Sequence, residues 1–222
     1  MKKNIREESL YVILDTAYVA SSQLVDVAKK VVDAGCSLIQ LRDKESSLSQ
    51  VLAIGLKIKK VLPPHVIFIL NDYVELVQEM GADGVHLGQD DTPVSLARAK
   101  LGESTIIGLS THSYDQALSS KNERVDYIGY GPIFRTKTKP LSAPIGVYDL
   151  SLIKQNVFHP VFAIGGLNLT NIDDVMKSGA NGITVVSAIL ESSDFKKTTI
   201  DFLKRIRNLK NEQKAYEAKA ES

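Results

Sequence analysis

Gly81-Ala82-Asp83-Gly84-Val85 and Gly179-Ala180-Asn181-Gly182-Ile183 are two copies of one local design. In each, the first glycine can end a helix in the left-handed conformation, and the apolar residues after the second glycine open a strand. Gly35-Cys36-Ser37-Leu38-Ile39 is a weaker third copy. Each copy marks the foot of a strand, so polar residues at the far end of that strand share the opposite face. The glycines themselves are assigned structure and no chemistry.

Outward from these copies, short apolar runs alternate with amphipathic stretches to the end of the chain. Strands are predicted at Tyr11 to Leu14, Ser37 to Leu41, Val66 to Leu70, Gly84 to Leu87, Thr105 to Leu109, Tyr127 to Tyr130, Val161 to Ile164 and Gly182 to Val186. Helices are predicted between them. Leu24, Val27, Ala28 and Val31 mark the apolar face of the first, and Ile200, Leu203, Ile206 and Leu209 that of the last. Alternating strands and helices imply parallel strands joined by right-handed crossovers, and eight such units close a (β/α)8 TIM barrel. A doubly wound open sheet is the competitor, but it favours a Gly-rich first turn and no glycines follow Asp15. The 222 residues suit a single barrel domain, 1–222, with a tail rich in Lys, Glu and Ala after about residue 208 that looks dispensable or extends the last helix.

Composition narrows the function. Hydrophobic residues make up 44% of the chain, enough for a sizeable core. A formal charge of +1 supplies no whole-molecule attraction to nucleic acid or an acidic membrane. Cys36 is the only cysteine, which excludes an internal disulfide and a Cys-rich metal site and reads as a small buried residue. Arg6, Glu7 and Glu8 interrupt the start before an apolar run of signal-peptide length, and no run approaches ~18 apolar residues. The chain reads as cytoplasmic, and a homo-oligomer is compatible with this reading.

The top face carries the active site in these barrels, so the residues at the strand ends matter most. They are Gln40-Leu41-Arg42-Asp43-Lys44, Asn71-Asp72, His86 to Asp91, Ser110-Thr111-His112, Thr136-Lys137-Thr138-Lys139, Gly165-Gly166 and Val186-Ser187. Arg42 and Lys44 alternate with Asp43, so on an extended backbone both cations point the same way, as a diphosphate requires. The alternative is a solvated charge cluster. Lys139 argues against it, because cations gathered over one mouth repel unless an anion joins them. Asp72 and Asp91 end adjacent strands, ~4.8 Å apart, and would repel or share a proton without a cation between them. Magnesium is the natural choice, since it accepts one or two carboxylates and completes its shell with water and phosphate. The competing reading makes Asp72 a helix N-cap and Asp91 a turn residue before Pro93. Gly165-Gly166, with Val186-Ser187, would offer backbone N–H groups to a second phosphate. Among the histidines, His86 reads as a strand residue with a structural hydrogen bond, and His65 and His159 look incidental. His112 stands beside Ser110.

Taken in order, these segments resemble the thiamine-phosphate synthase family. The matched motifs are Gln40 to Lys44, Asn71-Asp72, Gly84 to Asp91, Gly108 to His112, Gly131 to Phe134, Thr136 to Lys139 and Ala163 to Gly166. The resemblance implies that Gln40, Leu41, Arg42, Asp43, Lys44, Asn71, Ser110 and Lys139 hold a hydroxymethylpyrimidine diphosphate. It implies that Asp72 and Asp91 carry Mg2+. Thr136, Lys137, Thr138, Gly166, Val186 and Ser187 would hold a hydroxyethylthiazole phosphate. Arg42, Lys44, Ser110 and Lys139 would serve catalysis directly. Tyr73, where the family often has a charge, and Arg135 in a variable loop are the departures.

The implied chemistry joins the two small molecules with loss of diphosphate. It needs no Ser-His-Asp set or acid/base carboxylate pair, and the inventory contains neither. Two rivals stay open at this point. A thiazole tautomerase would use His112 as a proton shuttle but leave the diphosphate-side residues idle. A non-catalytic thiamine-phosphate sensor would not need two acids placed for a metal.

Overall fold

The computed structural model describes residues 2–136 and 143–220. Its strands are β1 (Leu10–Asp15), β2 (Leu38–Arg42), β3 (Ile67–Asn71), β4 (Gly84–Leu87), β5 (Ile106–Thr111), β6 (Tyr127–Tyr130), β7 (Val161–Ile164) and β8 (Gly182–Val185). All pair in parallel and in sequence order, and β1 pairs with β8 to close the barrel. The helices are α1 (Leu24–Asp33), α2 (Leu48–Val61), α3 (Val77–Met80), α4 (Val94–Leu101), α5 (Tyr114–Ser119), α6 (Tyr148–Asn156), α7 (Ile172–Lys177), α8 (Ser187–Leu190) and α9 (Phe195–Ala220). The (β/α)8 expectation is met. Among the described residues, no helix is long and apolar enough to cross a membrane.

Two apolar layers follow from the two-residue period of the strands. Outward-facing residues such as Val12, Leu14, Leu41 and Leu70 pack under the helices. Inward-facing Tyr11, Leu38, Ile67, Ile69, Ile106, Tyr127 and Phe162 fill the lower barrel, and Ile5 of the short N-terminal 3-10 turn plugs it from below. The rings of Tyr11, Tyr127 and Phe162 meet edge to face, with centroids 5.6–5.9 Å apart. This packed floor confines any ligand to the upper half.

The glycines of the three repeated segments, Gly35, Gly81 and Gly179, all have positive φ at helix ends, as their sequence context predicts. The residues that follow carry more than was expected of them. Asp83 Oδ2 accepts from the N–H of Phe68, and Asn181 Oδ1 from that of Val161, each at 2.9 Å. Asp126, before β6, does the same for Ile107 at 2.9 Å. The foot of an odd-numbered strand is thus satisfied by a side chain from the even-numbered strand's entry loop. Asn181→Ala is expected to leave the Val161 N–H unpaired. The cost should be ~1–3 kcal/mol, read as a lower midpoint in chemical denaturation.

The last helix shows where periodicity was nearly right. Its most deeply buried residues are Thr199, Phe202, Ile206 and Leu209, whereas Ile200 and Leu203 are only partly covered. The helix packs against α1 on one side and α7 and α8 on the other, which turns the buried face toward Phe202. Cys36 is buried and burial pushes its thiol up to about 12, in keeping with an inert core residue.

Candidate active site

Each strand ends at the same rim, so side chains separated by most of the sequence converge on one cavity there. Gln40, Arg42, Lys44, Asn71, Asp72, Asp91, Ser110, Thr136, Gly166, Val186 and Ser187 all line it. Leu41 and Asp43 do not. The side chain of Leu41 faces the helix layer, so this residue could meet a ligand only through its backbone. Asp43 is buried beneath the β2 loop, where Oδ1 accepts from the N–H groups of Glu45 (3.2 Å) and Ser46 (3.0 Å). Burial would push its carboxyl up, but the hydrogen bonds from Ser46, Glu45 and Thr16 outweigh it and hold the group below its ordinary value. Asp43 shapes the loop that carries Lys44. Lys137, Thr138 and Lys139 lie outside the described residues.

The β2 wall is cationic and anchored. Asp15 and Arg42 are register partners at the ends of β1 and β2, and Arg42 Nη1 donates to Asp15 Oδ2 at 2.6 Å. Asp15 is 1% exposed, and its Oδ1 accepts from the N–H of Ala17 at 3.0 Å. The guanidinium therefore projects into the cavity from a fixed base. No sequence motif singles out Asp15, which follows the predicted strand Tyr11 to Leu14. Its signal was a carboxylate in the inward series Tyr11, Ile13, Asp15 of an otherwise apolar strand. Asp15→Asn is expected to release Arg42 and lower kcat/KM about tenfold, the scale of one charge-assisted hydrogen bond. Steady-state kinetics on a variant with unchanged circular dichroism would check this.

Opposite Arg42, the two predicted metal ligands meet. Asp72 has φ 65°, the only non-glycine positive φ among the described residues, and its N–H donates to His86 O at 2.9 Å. Aspartate tolerates this left-handed conformation better than most residues. Tyr73, not Asp72, occupies the cap position of the following 3-10 turn, so the capping alternative does not describe this site. Lys44 Nζ lies 2.5 Å from Asp72 Oδ2. Asp91 Oδ2 accepts from the N–H of Gly88 at 2.6 Å, a turn role that it fills in addition to facing Asp72.

The carboxyls of Asp72 and Asp91 face each other closely enough to shift each other's acidity. Burial raises Asp72, and Asp91 raises it further against the opposing effect of Lys44. For Asp91, the cost of burial is outweighed by hydrogen bonds from Asp72 and Gly88, so its value falls. The two carboxyls thus shift in opposite directions, as like charges held in one site do. Among the described residues no set of three or more His, Cys, Asp or Glu could form a closed metal cage. Two carboxylates beside a cationic wall fit magnesium, which needs no such cage when phosphate and water complete its shell.

The other wall is backbone. Gly165 and Gly166 turn with φ 102° and 65°, and Asn171 Nδ2 holds Gly166 O at 2.9 Å. A Cβ on Gly166 would lie 2.4 Å from Arg135 O, so only glycine lets this loop pack beside Thr136. The helices that follow this wall, α7 and α8, are short. First-turn N–H groups rather than a long macrodipole are therefore what they could offer an anion. Between the walls, His112 Nδ1 must donate to Gly131 O, 2.6 Å away, because a carbonyl only accepts. His86 bridges Tyr127 and Ser110, the structural hydrogen bonding expected of it. His159 reaches Ser120 O away from the cavity. Tyr73, a departure from the family pattern, donates from its hydroxyl to Asp43 O at 3.0 Å and so braces the β2 loop.

Residues 10–189 match the family model described as thiamine monophosphate synthase. The chain belongs to this family. It is 36% identical to the thiamine-phosphate synthase of Methanosarcina barkeri over 91% of this chain and 92% of that one. It is 40% identical to that of Chloroflexus aurantiacus over 83% and 86% of the two chains. A thiamine phosphate pyrophosphorylase from Pyrococcus furiosus superposes with a TM-score of 0.85 at 31% identity, covering 93% of this chain and 99% of that one. As a member of the thiamine monophosphate synthase family the chain is a transferase.

Proposed function

We propose that this chain condenses hydroxymethylpyrimidine diphosphate with hydroxyethylthiazole phosphate to give thiamine phosphate and diphosphate. The observation that carries this reading is one cavity with two unlike anion-facing walls. One holds Arg42, Lys44 and the Asp72–Asp91 pair, and the other holds Thr136, Gly166, Val186 and Ser187. A single phosphate ester would occupy only one of them.

In this reading the C–O bond between the pyrimidine methylene and the diphosphate breaks, and the electron pair leaves with the diphosphate oxygen. The amino group of the pyrimidine ring stabilises the resulting cation, and the lone pair of the thiazole nitrogen forms the new C–N bond. Neither partner passes a proton to the protein, so the site's work is electrostatic and positional. Arg42, held by Asp15, and Lys44 face the departing charge, with Lys139 expected to join them. Gln40, Asn71 and Ser110 orient the pyrimidine side, while Thr136, Lys137, Thr138, Gly166, Val186 and Ser187 hold the thiazole phosphate. Magnesium held by Asp72 and Asp91 would supply charge neutralisation on the leaving diphosphate.

The test is a coupled assay for released diphosphate with both substrates present. Release that depends on magnesium, stops with a chelator and returns on adding the ion supports the proposal. No release under these conditions would overturn it. Isomerisation of the thiazole phosphate alone would point to a tautomerase instead.

A further inference from the structure

Directly beneath the cavity, five side chains from five strands form one line of hydrogen bonds. Gln40 Nε2 donates to Tyr11 Oη at 2.6 Å, and Tyr11 Oη lies 2.9 Å from Tyr127 Oη. Tyr127 Oη is 2.9 Å from His86 Nδ1, and His86 Nε2 is 2.9 Å from Ser110 Oγ. Gln40, Tyr11 and Tyr127 are each no more than 1% exposed, so water does not interrupt the chain there. Its two ends, Gln40 and Ser110, both line the cavity, as does His86, while Tyr11 and Tyr127 lie below it.

Counting protons gives the chain a direction. An amide nitrogen can only donate, so Tyr11 Oη accepts from Gln40, and its own buried proton is paired only if it points to Tyr127 Oη. Tyr127, having accepted, donates to His86 Nδ1. A neutral imidazole that accepts at Nδ1 carries its proton on Nε2 and donates it to Ser110 Oγ. Ser110 is then left with its hydroxyl proton directed to the cavity. At the other end Gln40 Oε1, buried and without a hydrogen-bond partner among the described residues, is left as an acceptor. Both phenols keep their protons throughout, since burial pushes each well above its ordinary value.

Neighbouring residues are fitted to this arrangement. A Cβ on Gly108 would fall 2.1 Å from Cζ of Tyr127 and 2.4 Å from its hydroxyl oxygen. The strand β5 therefore gives up a side chain where Tyr127 crosses the barrel. A Cβ on Gly129 would approach His86 to 3.3 Å.

We propose that Tyr11, Tyr127 and His86 are positioning residues, forming a one-directional relay that presents Gln40 to the ligand as an acceptor and Ser110 as a donor. That the ligand is the pyrimidine diphosphate rests on the function proposed above. The direction of the relay does not. The amide end cannot reverse, so turning any later link around would leave a buried hydroxyl proton without an acceptor along the line. Selectivity for the ligand's donor and acceptor pattern would thus be set in part by Tyr11 and Tyr127, which do not line the cavity.

The deciding measurement is nitrogen NMR of the full-length protein labelled with 15N-histidine, with the His86 signals assigned by their loss in His86→Asn. The proton is expected on Nε2, with Nδ1 unprotonated. A proton on Nδ1 overturns the proposal. Tyr127→Phe removes the donor to Nδ1 and is expected to yield a mixture of tautomers. It should also raise KM for the pyrimidine diphosphate about tenfold, while KM for the thiazole phosphate stays within about twofold. Tyr11→Phe leaves the Tyr127-to-His86 bond intact, so it should keep the Nε2–H tautomer yet raise the same KM. An unchanged tautomer and unchanged KM in Tyr127→Phe overturn the relay. If Tyr127→Phe does not fold, the wild-type spectrum and Tyr11→Phe decide the question between them. Wild-type protein that shows the expected tautomer but releases no diphosphate would overturn the proposed reaction and leave the relay standing.

Discussion

Asp91→Ala is expected to lower turnover at least ~10²-fold, the scale for losing one preorganised electrostatic stabiliser. The residue does two jobs that the substitution removes together. It accepts from the N–H of Gly88, closing the loop after β4, and its carboxyl faces that of Asp72 across the cavity wall. Alanine leaves Asp72 with Lys44 as its remaining ionic partner, 2.5 Å away. A divalent ion would then lose one of its two protein ligands and compete with an ammonium for the other. Asp91→Asn separates the two jobs, because the amide oxygen still accepts from Gly88 while the charge is gone. Steady-state turnover and a calorimetric magnesium titration on both variants would read the effect. A purified Asp91→Ala protein that binds magnesium and turns over as the wild type does would end the metal assignment.

Truncation after Asn208 is expected to cost ~2–5 kcal/mol of stability, the range for deleting a buried leucine. Leu209 is only 1% exposed and belongs to the apolar layer under the helices. Four residues on, Gln213 Nε2 donates to Met176 O at 2.9 Å, tying α9 to α7. A cut after Lys214 keeps both contacts and should leave the denaturation midpoint within the ordinary scatter of surface changes, about 0.5 kcal/mol. Equal midpoints for the two truncations would show that the packing of Leu209 contributes little. The stretch after Asn208 thus holds two anchored residues, Leu209 and Gln213, ahead of the exposed Lys214, Ala215 and Tyr216.

The strands were legible because burial on both faces leaves nearly continuous apolar runs bounded by glycine and polar residues. Gly84 to Leu87, Tyr127 to Tyr130 and Val161 to Ile164 were found to the residue. The candidate site was legible to the extent that its residues stand at strand ends, where a barrel collects them. Leu41 shows the limit of that rule. It lies between Gln40 and Arg42 in the motif, but the strand's alternation turns its side chain to the helices. Asp15 and Tyr127 show the reverse. Neither belongs to a motif, yet one anchors Arg42 and the other joins Tyr11 to His86.

What the linear sequence determined was therefore the order of elements, the barrel they close and the set of groups delivered to its rim. Those properties depend on local periodicity and on chain connectivity, both of which can be read along one dimension. Only the tertiary structure decided which carboxylate pairs with which cation, that Asp72 and Asp91 face each other, and that Gln40 and Ser110 end one hydrogen-bonded line. The reason is geometric. Each of these depends on a distance of about 3 Å between residues far apart in the chain, and the register between strands, not their sequence separation, sets it.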